Sequence, residues 1–457
     1  MNRVSRRAPA LMLLVLLILG GLGYFLFEYA TKAETWIVSP GSPHVFNSAN
    51  IGTGKVVDRG GEMLLDITET RSYSESLNVR KSTLHWLGDR QGRISAPAIA
   101  HYGKEMTGYD LIDGLYSDTG ERGTATLSVS ARIQTAALKA MGDRKGTIGI
   151  YNYKTGEILC AITTPTYDPD DVPDIEGDES GAYEGIYLNR FLQSSYIPGS
   201  IFKVVTAAAA LDCIEDIEEM TFRCEGIYAY GIDKVSCEGA HGKMNLKSAL
   251  TSSCNCTFGQ IANLIGAERL QEYAQRFQIA KSIKFDGITT AKGNFDVTDA
   301  ASVEIAWAGC GQYTDQINPC RYMTFMGAIA GGGEAAVPHM VSSVKLGEEF
   351  TYQADTKTTG RLMDAEVAQK LQEFMRSNVV NNYGAGNFPG MTVCAKSGTS
   401  QLGGEQKSNA MFAGFVTDEE YPLAFIVVVE NGGYGASTCV PILSKVLAEC
   451  KAVLDNE

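Results

Sequence analysis

The chain is 457 residues long, 44% hydrophobic and 20% charged, a balance too apolar for disorder and too charged for a polytopic membrane protein. Lysine and arginine number 39 against 53 acids, and the net charge of −14 argues against a nucleic-acid partner, which needs a basic surface. Five histidines and the lack of an HExxH motif leave little for a histidine-built metal centre.

Arg3, Arg6 and Arg7 come first, and no acid precedes Glu28. A helix of about 20 apolar residues matches the hydrocarbon thickness of a bilayer, so residues 8–28 read as a transmembrane signal anchor. The arginines before it put residues 1–7 in the cytoplasm and the rest of the chain outside, as a single-pass cell-membrane protein. The length of the run and the absence of a small-x-small exit favour a retained anchor over a cleaved signal peptide.

Residues 33–124 are polar and weakly patterned, and predict a small β-rich spacer with strands at 55–58 and 62–66 and a short helix opening on Pro97. Residues 125–457 are expected to form the catalytic body. Helical spacing covers residues 131–141, and β-type runs at 147–153 and 157–163 flank Lys154-Thr155-Gly156 as a hairpin. The acidic stretch from Asp168 to Glu179 reads as a solvated loop. Residues 200 to about 330 read mainly helical. Strands return at 391–396, 410–416 and 423–430, and Pro441 opens a last helix. The order predicts an α/β (α+β) fold, an antiparallel sheet flanked by helices with an inserted all-helical lobe.

Eleven cysteines in an oxidising exterior permit disulfides, and the odd count leaves at least one thiol unpaired. Cys224 and Cys237 border a glycine-containing segment able to turn back on itself, and are the expected pair. Cys160, Cys254 and Cys394 lie in apolar or motif contexts and read as small buried hydrophobes. A zinc site from Cys224, Cys237 and His241 lacks the CxxC spacing of common zinc folds, so no metal is expected.

Three segments carry chemistry. In Pro198-Gly199-Ser200-Ile201-Phe202-Lys203, Ser200 opens a helix apolar on almost every face, with Lys203 one turn on. Burial disfavours the ammonium form of Lys203, which lets it act as a base toward the serine hydroxyl, while the helix start supplies free N–H groups to a developing oxyanion. In Ser253-Cys254-Asn255, between two helical patterns, a hydroxyl and a carboxamide two residues apart can face one cleft. In Lys396-Ser397-Gly398-Thr399, at the end of a strand, there are a cation, a close-approach glycine and hydroxyls for an anion. Each alone is weak: a snorkelling lysine beside a serine cap, an interhelix turn, a surface turn.

Taken together and in this order, they resemble the S-x-x-K, S-x-N and K-[TS]-G set of serine–lysine acyl-transfer enzymes, found in penicillin-binding proteins and class A β-lactamases. The wider text resembles class B penicillin-binding proteins, the monofunctional peptidoglycan D,D-transpeptidases of the β-lactamase-like superfamily. The matching stretches include Lys154-Thr155-Gly156-Glu157, Tyr167-Asp168-Pro169, Asn189-Arg190, His241-Gly242, Gly311-Gln312 and Gly432-Gly433-Tyr434-Gly435, between Ala125 and Leu447. Departures are the spacer sequence Thr53-Gly54-Lys55-Val56-Val57-Asp58-Arg59-Gly60-Gly61 and the segment Asn409-Ala410-Met411-Phe412, where relatives often have His-Ala-Trp-Phe.

The resemblance implies a penicillin-binding transpeptidase fold with its cleft between sheet and helical lobe. It implies that Ser200 attacks the penultimate D-alanine carbonyl of a stem peptide, that Lys203 takes the serine proton, and that Ser253 relays a proton to the departing amine. It gives Asn255 the stem amide, Lys396 and Thr399 the terminal carboxylate, Ser397 a place in the substrate-binding strand, Gly398 the close backbone approach, and the backbone N–H groups of Ser200 and Thr399 the oxyanion. Implied partners are D-Ala-D-Ala stem peptides, β-lactam antibiotics and a glycan polymerase of the shape-elongation-division type, with no cofactor. The alternatives are a D,D-carboxypeptidase or β-lactamase using the same serine, and a non-catalytic membrane-anchored scaffold of the wall-synthesis complex. A Ser-His-Asp hydrolase is disfavoured because no G-x-S-x-G is centred on Ser200.

Overall fold

The computed structural model describes residues 2–37, 54–68, 71–107, 122–401 and 407–456, with side chains of the first helix from residue 7 to 32. Parts of the expected spacer (residues 38–53, 69–70 and 108–121) and the first residue of the expected tail lie outside the described residues.

The strands in chain order are β1 (Gly54–Val57), β2 (Met63–Ile67), β3 (Ser72–Tyr73), β4 (Gly123–Leu127), β5 (Gly146–Asn152) and β6 (Ile158–Thr164). Four short strands follow, β7 (Phe222–Cys224), β8 (Ile227–Tyr230), β9 (Asp233–Ser236) and β10 (Gly242–Met244), then β11 (Lys284–Phe285) and β12 (Ile288–Thr289). The last five are β13 (Val341–Leu346), β14 (Glu349–Gln353), β15 (Val393–Ser400), β16 (Asn409–Val416) and β17 (Leu423–Val429).

The central sheet runs β15-β16-β17-β5-β6 and is antiparallel throughout. The early hairpin and the closing strands therefore meet in one sheet, as the order of the elements along the chain predicts. β16 and β17 are buried at every residue, because helices cover both faces. Helices Ala131–Met141 and Gly435–Leu454 pack together on one side, and Pro319–Ala330 lies against the other. Burial on two faces explains why β17 is continuously apolar rather than alternating.

Three expectations are corrected. The last helix opens at Gly435 rather than at Pro441, which sits in its second turn at the loss of one backbone hydrogen bond. The middle segment is not wholly helical: β8 and β9 form a hairpin projecting between β7 and β10, which pair with each other. The acidic stretch is not only a solvated loop. Asp168 accepts two hydrogen bonds of 2.7 Å from Arg80 on helix Leu77–Leu87, and these hold its carboxyl below the usual range.

The second large sheet runs β14-β13-β4-β1-β2-β3. β1 lies parallel to β4, and β13 extends the sheet from far along the chain, so β4 crosses the boundary expected at residue 124. Asp58, just after β1, anchors the junction. Its Oδ1 accepts the N–H groups of Gly60 and Glu62, and its Oδ2 accepts that of Ala131 at the start of the next helix.

At the amino end, helix Asn2–Ile37 contains a 26-residue stretch, Arg7–Lys32, whose most apolar 18-residue window has mean hydropathy 2.5 and is 0% buried. Among the described residues it is the one helix long and apolar enough to cross a membrane.

Candidate active site

Ser200 stands in a tight helical turn, Gly199–Phe202, that feeds helix Lys203–Cys213. Lys203 to Ala210 are all buried, as an apolar sequence on every face predicts. The turn is pinned from three sides. Tyr322 donates to the Ile201 carbonyl at 2.6 Å, the Gly199 N–H donates to the Gly311 carbonyl at 2.9 Å, and β15 lies directly against it. The approach to β15 is close enough to require glycine. Gly199 has φ +56°, and a Cβ there would fall 2.6 Å from the Thr399 carbonyl oxygen; one on Gly398 would fall 2.8 Å from that of Pro198.

Lys203 is 0% exposed, and its Nζ lies 3.0 Å from Ser200 Oγ, 3.2 Å from Ser253 Oγ, 2.8 Å from the Ser253 carbonyl and 2.6 Å from Asn255 Oδ1. Two of these partners, the carbonyl and the carboxamide oxygen, can only accept. In the neutral form of the amine they would take both N–H bonds and leave its single lone pair to one of the two hydroxyls, which can donate. Burial lowers the Lys203 pKa and favours that neutral form. Serine hydroxyl, lysine amine and second hydroxyl thus stand in series within hydrogen-bond reach.

Ser253 carries the link onward. It has φ +52°, a left-handed conformation unusual outside glycine, and its Oγ is 3.1 Å from Lys396 Nζ. Lys396 also donates to the Ser397 carbonyl at 2.8 Å and is only 1% exposed. Burial, and then the nearby Lys203 charge, push its pKa well below the ordinary lysine value. The structure thus brings together Ser200, Lys203, Ser253, Asn255, Lys396, Ser397, Gly398 and Thr399.

A cleft of about 350 Å³ is lined by Ser200, Ser253, Asn255, Ser397 and Thr399, with Glu238, Trp307, Gln312 and Tyr434 around them. Lys396 is not among the lining residues, so its amine stands behind Ser253 and Ser397 rather than in the opening. The carboxamide of Asn255 is committed to protein on both sides, accepting from Lys203 and donating to the Ser236 carbonyl at 2.9 Å. Thr399 Oγ1 accepts from the Gly435 N–H at 3.1 Å, tying β15 to the last helix.

Tyr383 is a residue the motifs do not announce. It ends a wide helical turn, Val379–Tyr383, and its hydroxyl accepts the Ser397 N–H and meets Ser397 Oγ, each at 2.9 Å. Nothing in its local sequence marks it. Gln312 and Tyr434 belong to Gly311-Gln312 and Gly432-Gly433-Tyr434-Gly435, so the resemblance held a signal for them.

The expected disulfide between Cys224 and Cys237 does not form; both thiols are free. They meet His241 and Cys254 in a four-membered cluster whose ligand atoms all lie within 4.8 Å of one another. Cys160 and Cys394 are buried as expected, but Cys254 is more than a packing residue.

A serine hydroxyl bonded to a buried lysine amine whose pKa burial lowers, beside an edge strand and under a helical lobe, defines a serine–lysine acyl-transfer enzyme. The chain belongs to the penicillin-binding protein transpeptidase domain family, which matches residues 146–448, well over half of its length. It is 27% identical over 376 residues to the peptidoglycan D,D-transpeptidase PbpA of Mycobacterium tuberculosis, covering 74% of each chain. The solved structure of penicillin-binding protein A from M. tuberculosis, as its penicillin G acyl-enzyme complex, superimposes with a TM-score of 0.76 at 22% identity, over 88% of this chain and 100% of that one. A penicillin-binding protein (PBP2) from Helicobacter pylori, solved in complex with MreC, gives a TM-score of 0.62 at 22% identity over 72% and 64% of the two chains. The two structural likenesses show the fold.

Proposed function

We propose that this chain is a peptidoglycan D,D-transpeptidase that cross-links stem peptides through an acyl-serine and is itself acylated by β-lactams. The observation that carries the reading is the fully buried Lys203 Nζ at 3.0 Å from Ser200 Oγ, at the wall of the cleft that Ser200 lines. Neutral Lys203 takes the hydroxyl proton as Ser200 attacks the penultimate D-alanine carbonyl. The proton passes by way of Ser253 to the departing D-alanine amine, and the amine of a second stem then resolves the ester into a cross-link. Backbone N–H groups of Ser200 and Thr399 receive the oxyanion. The hydroxyls of Ser397 and Thr399 meet the terminal carboxylate, with Lys396 supporting them from behind through its bonds to Ser253 Oγ and the Ser397 carbonyl. Asn255 holds Lys203 as well as the stem amide.

In this reading residues 1–7 are a cytoplasmic tail, 8–28 an anchor, 33–124 a pedestal and 125–457 the transpeptidase domain, outside the cytoplasm. An apolar helix at the amino end supports the anchor. The partner is a membrane assembly that includes a glycan polymerase of the shape-elongation-division type. The MreC complex of the H. pylori protein supports a shape-determining assembly.

The test is intact mass of the full chain in detergent, with and without penicillin, for the parent and Ser200→Ala. One adduct in the parent and none in the variant is expected; an adduct that survives in the variant moves the nucleophile elsewhere. Product analysis with a stem pentapeptide and an acceptor stem distinguishes transfer from hydrolysis.

A further inference from the structure

We propose that Cys224, Cys237, His241 and Cys254 bind one Zn²⁺ in a closed Cys₃His site that fixes the loop carrying Ser253 and Asn255. The sequence alone does not announce a metal, because Cys224, Cys237 and His241 stand at spacings unlike a zinc ribbon and Cys254 reads as a buried hydrophobe.

The fold assembles the set from three places. Cys224 ends β7, and β7 pairs with β10 so that Cys224 faces Gly242, next to His241. Cys237 follows β9, where its N–H donates to the Gly226 carbonyl at 2.8 Å and closes the base of the hairpin beside Cys224. Cys254 arrives from the other side, as the residue that caps helix Asn255–Ile265. All four donor atoms lie within 4.8 Å of one another, and two of the pairs have the separations a tetrahedral zinc requires. With Zn–S of about 2.3 Å and Zn–N of about 2.0–2.1 Å, tetrahedral angles put two sulfurs about 3.8 Å apart and a sulfur and nitrogen about 3.6 Å apart. Cys237 Sγ is 3.6 Å from Cys254 Sγ, and Cys224 Sγ is 3.5 Å from His241 Nδ1.

The surroundings suit bound thiolates. Cys237 Sγ accepts the N–H groups of Asn255 at 3.0 Å and Cys256 at 3.5 Å, and Cys254 Sγ accepts that of Thr257 at 3.4 Å. Such donors offset the excess negative charge of three thiolates on one divalent ion. Three soft sulfur ligands and an imidazole select zinc over magnesium or calcium, and four protein ligands leave no open position, so the ion is structural rather than catalytic. Cys256, close by in sequence, is excluded because its thiol turns to the Val235 carbonyl.

The consequence reaches the active site through one residue. Cys254 is the middle of Ser253-Cys254-Asn255, and Asn255 is bonded to Cys237 through its N–H and to Ser236 through its side chain. A metal that joins Cys254 to the hairpin base therefore holds Ser253 in its left-handed conformation, and holds both of its neighbours against Lys203. Cys237 and His241 also line the cleft, so the ion stands at its wall.

The test is metal analysis of the full chain, purified in detergent under reducing conditions without chelator, for the parent, Cys224→Ser, His241→Ala and the distant Cys439→Ser. One zinc per chain in the parent and in Cys439→Ser, with loss in the other two, is expected. Because a ligand variant can fail to fold, the parent is also stripped and titrated with Co²⁺, where the visible bands of a tetrahedral thiolate complex are expected at one equivalent. A parent that arrives without zinc and binds no Co²⁺, or mass mapping that finds a disulfide among the three cysteines, overturns the proposal. None of these readouts needs acylation, so failure here is distinguishable from failure of the transpeptidase reading.

Discussion

Lys203→Met separates the chemistry of the site from its stability. The substitution conserves length and apolar stem but removes the base 3.0 Å from Ser200. Loss of a positioned general base costs about 10²–10⁴ in rate. That corresponds to about 2.7–5.4 kcal/mol in activation free energy, at about 1.36 kcal/mol per decade. Stability moves far less. Methionine forfeits the bonds to the Ser253 carbonyl and Asn255 Oδ1, each worth about 1 kcal/mol, yet it relieves the cost of a buried amine, also about 1–3 kcal/mol. The two nearly cancel, and the melting temperature is expected to stay close to that of the parent. Stopped-flow acylation by a fluorescent penicillin and a thermal melt read the two quantities. The pH dependence adds a sign. Burial depresses the folded pKa of Lys203 below its ordinary value. Acylation by the parent should therefore rise with pH as the free base forms, and level off above the depressed pKa. Between that pKa and the ordinary one the unfolded chain binds the extra proton, so the contribution of Lys203 to stability also rises with pH. In the variant the rise in rate should vanish. Parental acylation by a well-folded Met variant would refute the assignment of the base.

Two further substitutions test the frame around the serine. Gly199→Ala places a Cβ 2.6 Å from the Thr399 carbonyl, whereas Gly142→Ala, at almost the same φ (+57° against +56°), meets nothing nearer than 3.8 Å. Both put a side chain at positive φ, which strains an L residue, so acylation slowed only in the first isolates the contact with β15, and equal behaviour refutes it. Glu430→Ala strands Arg190, whose side chain is 4% exposed and donates to Glu430 at 2.8 Å alongside Tyr196. Breaking a buried pair costs about 3–5 kcal/mol, and with Glu430 23% exposed we expect about 2–3 kcal/mol by urea unfolding; a surface-like change of about 0.5 kcal/mol would refute the reasoning.

What the sequence made legible was whatever chemistry or periodicity writes locally. Helix Ala131–Met141 and the hairpin of β5 and β6 follow from spacing alone, and the three motifs name the side chains that meet at the cleft because each motif fits within a single turn or strand. What it hid was set by pairing across long separations. The addition of β13 to β4 is invisible to periodicity, since a strand's alternation says which face is buried but not which neighbour it takes. Tyr383 reaches Ser397 from a helical turn with no motif of its own. The cysteines show the same division most sharply. Read as a line, Cys224 and Cys237 suggest a pair, and Cys254 belongs to a catalytic motif. Their spacings to His241 and Cys254 (13, 4 and 13 residues) acquire meaning only once β7 and β10 have paired and the following helix has turned back on them. Cys254, between Ser253 and Asn255, therefore reads as packing in the sequence, although its thiol joins Cys224, Cys237 and His241 in one cluster. The motif dictates which side chains the reaction uses; the tertiary pairing decides what holds them in place.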